Sequence, residues 1–115
     1  MAANNLVHEL QRQNKYAEAV SILREALSEA RRALGDDHQM TLMLSSLLSD
    51  SLLRAGPSPT VDDVRESIAI GEDNCKRSRR LLGESHPDTR RRQRALDYAR
   101  SYLALLGLSE GSIVR

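Results

Sequence analysis

The sequence predicts an all-α domain built from repeated helix–turn–helix units, and three observations carry that reading. The first is the residue palette. The chain of 115 residues has no Phe and no Trp, and its only aromatics are Tyr16, Tyr98 and Tyr102. A core must then come from Leu, Ala, Val and Ile, a mixture that favours helices. The second is that no stretch alternates β-branched or aromatic residues between frequent turns, which is the mark of strands. The third is internal self-similarity. "LGDDHQMT" (34–41) returns as "LGESHPDT" (82–89).

Sliding the chain by 48 residues extends that match upstream. Tyr16, Glu18, Val20 and Ile22 fall on Val64, Glu66, Ile68 and Ile70, and Arg31-Arg32 fall on Arg79-Arg80. Further upstream, "NNLVHELQRQN" (4–14) aligns with "SLLSDSLLRAG" (46–56) at a shift of 42. The six-residue difference equals the length of "PSPTVD" (57–62). The unit is therefore 42 residues long, and its second copy carries a loop insertion.

Each element has a local reason. A first helix is expected over about 3–13, ahead of a turn at Asn14. The second, over about 15–34, carries an apolar stripe at Tyr16, Val20, Leu23, Leu27, Ala30 and Leu34, in helical steps of four and three. Gly35 follows as a left-handed C-terminal cap. The third helix is expected over about 39–55, with Asp36, Asp37 and His38 as capping candidates. The fourth, over about 61–82, repeats the stripe with Val64, Ile68, Gly71, Cys75, Ser78 and Leu82. Gly71 in a helix interior costs roughly 1 kcal/mol against Ala unless a neighbour needs the space. This helix is expected to be the weakest. Gly83 ends it, and Pro87 suits the first turn of a fifth helix over about 87–106, capped by Ser85 or His86. The units run 4–37, 38–85 and a half unit 86–106, forming one helical domain over 1–106 with a flexible tail 107–115.

At this point the residues resemble a known family. Asn4-Asn5-Leu6, then Lys15-Tyr16-Ala17-Glu18-Ala19, Ala26-Leu27 and Leu34-Gly35 are similar to a tetratricopeptide repeat of the 42-residue kind found in kinesin light chains. "LGESHPDT" matches that family's joint in full, while Asn14 stands where the family has a turn glycine. In the second unit Ser67, Gly71 and Asn74 replace the family's Ala, large apolar residue and Ala. The resemblance implies an α-α superhelix of two and a half repeats. It also implies a concave groove lined by the first helix of each unit, holding a peptide. Carried over residue by residue, that groove presents Asn5, His8 and Arg12, then Met43, Ser46, Leu47, Asp50 and Arg54, then Arg91, Arg94 and Tyr98. The family's ligand-binding Asn is kept at Asn5 and replaced at Leu47 and Ala95.

Charge bears on the partner. Residues 1–75 hold 7 Lys/Arg against 12 Asp/Glu, and residues 76–100 hold 9 against 3. Such asymmetry suits an acidic partner near the C-terminal end, or end-to-end stacking of copies into a homo-oligomer. Nucleic acid is disfavoured, because net charge is +1 and stacking aromatics are few. Lys76-Arg77 and Arg90-Arg91-Arg92 have the spacing of a two-part nuclear import signal, but such signals are read extended and both halves fall in expected helices. The lone Cys75 excludes an internal disulfide and suits a reducing compartment. No membrane span or secretory signal is visible, so the expected setting is cytoplasmic, with the nucleus as the alternative.

Catalysis is the weaker reading. Asp36-Asp37-His38 and Glu84-His86-Asp88 contain zinc-type ligands, but no second His follows at helical spacing and there is no Cys cluster. Cys75 falls on the buried stripe, where its counterpart is Leu27. The expectation is a noncatalytic adaptor with no cofactor and no metal. A self-associating scaffold is the second choice, and a metal-dependent enzyme on the His joints the third.

Overall fold

The structure, a computed structural model, describes residues 2–56 and 59–107. Five helices follow one another: α1 (Ala2–Arg12), α2 (Tyr16–Leu34), α3 (Gln39–Arg54), α4 (Val61–Leu82) and α5 (Pro87–Leu105). Among the described residues there is no strand. Consecutive helices pack against one another, and α3 also touches α5. This is the all-α helical solenoid that the repeat implies. Of the expected insertion, Pro57 and Ser58 lie outside the described residues, and so does the tail from Leu108 onward. The rest of the insertion supplies the start of α4. Thr60 and Asp63 exchange hydrogen bonds in a capping box, at 3.0 and 3.1 Å.

The two joints use the same chemistry. His38 Nδ1 accepts the Met40 N–H at 3.0 Å, and His86 Nδ1 accepts the Asp88 N–H at 3.0 Å. Each imidazole thus satisfies a helix-start donor that would otherwise lack an intrahelical partner. Pro87 occupies the first turn of α5, where its missing N–H costs nothing. Gly35 and Gly83 sit at φ 88° and 94°, with ψ 165° and 160°. The positive φ requires glycine, but the extended ψ differs from the expected left-handed cap. Asn14 also has a positive φ, 60°, which Asn tolerates better than most residues.

The stripe of α2 is shifted slightly from expectation. Ala19, Leu23, Leu27 and Ala30 are buried, Val20 is half-buried, and Leu34 is exposed. These residues join Val7, Leu10, Leu44, Leu48 and Leu52 in a first core cluster. A second cluster holds Leu53, Val64, Ile68, Cys75, Leu96, Ala99 and Leu103. Helix α3 serves both, and it is buried on most of its circumference.

Between the clusters runs a polar seam. Ser49 on α3 and Ser67 and Asn74 on α4 are buried in it, while the buried Ser51 and Ser78 turn to Gln11 of α1 and Arg92 of α5. Ser49 and Ser67 lie hydroxyl to hydroxyl at 2.7 Å, and each hydroxyl is 3.1 Å from the other residue's carbonyl. Two protons serve three short contacts, so both hydroxyls are satisfied without water. Asn74 donates to Ser46 at 3.4 Å, and Gln11 donates to Ser51 at 2.9 Å. A side chain that touches the backbone of the facing helix requires close helix approach. Only small residues allow it.

The Gly71 position is explained the same way. A Cβ there would lie 3.1 Å from Leu96 Cδ1 and 3.4 Å from Leu96 Cβ. The neighbour that needs the space is the buried Leu96 of α5. Glycine is therefore part of the α4–α5 fit, and its propensity cost does not by itself make α4 the weakest helix. Replacing Gly71 with Leu, the residue type of the family pattern, should destabilise the fold by about 1–3 kcal/mol through overpacking. Urea unfolding measures this, and unchanged stability would refute the close-packing explanation.

Candidate protein-binding face

Three possible centres of chemistry can be compared: the joints, the cysteine and the face of α1, α3 and α5. At the joints the histidines cap helices, and their neighbours form ion pairs. Arg77 Nη1 bonds Asp37 at 2.7 Å and its Nε bonds Asp73 at 2.8 Å, while Arg80 Nη2 bonds Asp37 at 2.7 Å. The Arg77 hydrogen bond, with Arg80 adding to it, holds the Asp37 carboxyl below its ordinary value. Among the described residues no group of three or more His, Cys, Asp or Glu is placed to hold a metal ion. These bridges also change the charge picture. Part of the basic segment, Arg77 and Arg80, is spent on the acidic first joint. The end-to-end asymmetry is thus smaller in the fold than in the sequence.

Cys75 is fully buried in the second cluster. Burial raises its thiol above the ordinary value, with the nearby Arg79 opposing. A reactive cysteine needs the reverse, an exposed and stabilised thiolate.

The third region draws on α3 and α5. From α3, Asp50 and Arg54 pair at 3.3 Å. Burial raises the Asp50 carboxyl above its ordinary value, and Arg54 opposes that. The Arg54 guanidinium sits 5.8 Å from the Tyr16 ring centroid and reaches the Tyr16 hydroxyl at 3.5 Å. On α5, Tyr98 and Tyr102 meet edge to face with centroids 5.5 Å apart, and their hydroxyls are 3.3 Å apart. Both tyrosines lie within electrostatic reach of Arg54, and Tyr102 also of Asp50. Arg54 thus contacts Tyr16 directly, and the Tyr98–Tyr102 pair of α5 lies within its electrostatic reach.

The residues carried over from the family fall into three groups. Asp50, Arg54 and Tyr98 are brought together in this cluster. Asn5, His8 and Arg12 are exposed on α1, with Arg12 paired to Glu9, while Arg91, paired to Asp88 at 2.9 Å, and Arg94 are exposed on α5. Met43, Ser46 and Leu47 are half-buried on α3. Ser46 donates to the Leu42 carbonyl and accepts from Asn74, and Leu47 packs against the first core cluster. Tyr16 and Tyr102 were not among the expected groove residues. Tyr16 opens a second helix, whereas the family groove is lined by first helices. The signal that could have found Tyr102 was its spacing of four from Tyr98 in a chain nearly empty of aromatics.

The arrangement defines a class: a helical-repeat scaffold that carries a mixed aromatic and charged face. The family comparison narrows it. Residues 1–39 match the model of the tetratricopeptide repeat, a span covering α1, α2 and the first joint. No curated protein and no solved structure matches the chain.

The buried thiol gives a check on the noncatalytic reading of Cys75. A raised thiol is protonated near neutral pH and shielded from reagent. A thiol-reactive chromophore should therefore label Cys75 slowly in native protein and rapidly in denaturant. Fast native labelling at neutral pH would contradict the burial.

Proposed function

We propose that this chain is a noncatalytic binding module that holds an extended protein segment across the face of α1, α3 and α5. The tetratricopeptide match over the first unit supports the class of module. The 42-residue period and the "LGESHPDT" joint favour the kinesin-light-chain kind of repeat. One observation supports the location of the site: Arg54 stacks on Tyr16, and the edge-to-face pair Tyr98–Tyr102 lies within its electrostatic reach. Half-exposed tyrosines bury large area at small entropic cost, and arginine adds directional donors, which is why both residue types dominate binding energy at interfaces. Tyr98 is 48% exposed, so its ring is open to a ligand.

Arg91 and Arg94, on the same helix as Tyr98, favour acidic residues in the bound segment. Arg94 makes no ion pair among the described residues, so its charge is available to a partner. The segment then lies with its acidic part over α5 and its backbone toward Asn5 on α1.

Affinity capture from native lysate identifies the binding partner. Replacing Tyr98 and Arg54 together with Ala should then weaken its binding at least about tenfold. Unchanged affinity would remove the tyrosine face as the site. Reversing Arg91 and Arg94 to Glu separates the acidic preference from the site itself, since equal binding by that variant would reject only the preference.

A further inference from the structure

The second interaction surface lies between α4 and α5. Repeat equivalence exposes it. Helix α4 fills the groove between α2 and α3: Glu66 grips Arg24 with two bonds, at 2.6 and 2.9 Å, Ile70 packs onto the first core cluster, and Asn74 reaches Ser46. The shift of 48 residues maps the walls of that groove onto α4 and α5. Arg31 becomes Arg79, Ser45 becomes Gln93, and the buried Leu48 becomes the buried Leu96. The structure does hold a cleft of about 420 Å³ there, lined by Arg79, Gln93 and Leu96 with Glu72, Lys76 and Arg100. Among the described residues no helix fills it.

We infer that this cleft takes a single amphipathic helix with an acidic contact ridge from a partner polypeptide. The shape follows from the groove that α4 fills. The charge follows from the walls, where Lys76, Arg79 and Arg100 face one carboxylate, Glu72. Arg100 already holds Glu72 at 3.1 Å, and Lys76 makes no ion pair among the described residues. Arg79 donates to Gln93 at 3.3 Å, a neutral acceptor that a carboxylate can replace with a stronger bond. The pattern for the incoming ridge is written in α4 itself: Glu66, Ile70 and Asp73, in steps of four and three.

A second intact copy fits less well. Its α2 carries the same pattern in Glu18, Ile22 and Glu25, but it would bring its own α1 into the place that α5 holds. The occupant is thus a helix that arrives without a first-helix partner.

The probe is a synthetic peptide of residues 15–35, which carries the α2 ridge alone. Fluorescence anisotropy should show saturable binding to the 115-residue protein. Reversing Lys76 and Arg79 to Glu should weaken it at least about tenfold, and so should exchanging the three peptide glutamates for lysine. Both protein positions are exposed, and circular dichroism with urea unfolding verifies that the variant keeps its fold. Absence of saturation, or equal binding by the charge-reversed forms, overturns the inference and leaves the cleft solvated. Sedimentation of the protein alone supplies the remaining arm. A dimer abolished by the same two substitutions would assign the cleft to a second copy and overturn the single-helix occupant, and a monomer supports it.

Discussion

Everything beyond α3 is positioned by the contact between Ser49 and Ser67. Two serine hydroxyls at 2.7 Å, each also close to the other's carbonyl, fix how near α4 comes to α3. The two core clusters meet at this joint through few side chains, Leu53 of α3 in the second and Ile70 of α4 against the first. One gathers α1, α2 and α3, and the other gathers α4, α5 and a single α3 leucine, Leu53. The polar seam sets the distance and rotation between them. Buried hydroxyls that are fully satisfied carry no desolvation penalty for an unpaired group, and their small volume lets two backbones approach.

The consequences run outward from that seam. With α4 close, Gly71 faces α5 and admits Leu96 into the space its missing Cβ leaves. That brings α5 near α3 and places Tyr98 and Tyr102 within electrostatic reach of Arg54. Packing of α4 against α5 thus helps position the tyrosines of the candidate face. The charged bridges of Arg77 and Arg80 to Asp37 lie over the same α2–α4 junction, but Asp37 and Arg80 are about half exposed, and exposed pairs add little. The seam and the glycine carry the geometry.

How legible was this in the sequence? Helix limits were, because their signals are local: His38 and His86 before the helix starts, Gly35 and Gly83 after the stops, and Pro87 in a first turn. The seam was not. Ser67, Gly71 and Asn74 read as departures from an apolar pattern, since a residue's burial beside a specific partner is a property of two distant segments. Asn74 and Ser46 are 28 residues apart, and Ser49 and Ser67 are 18 apart. At the candidate face, Asp50, Arg54 and Tyr98 were named by the family resemblance, whereas Tyr16 meets Arg54 only through a cross-helix contact that no local signal announces. Counting residues along the chain separates acidic from basic, and folding places Asp37 against Arg77.

The most direct test compares two substitutions at Ser67 by urea unfolding. Alanine removes the hydroxyl and keeps the close approach, so it should cost about 1 kcal/mol. Leucine adds apolar area but forces α4 away from α3, so it should cost at least about 1 kcal/mol more than alanine. If the leucine variant is as stable as the alanine variant, close approach at Ser49–Ser67 does not govern the fold.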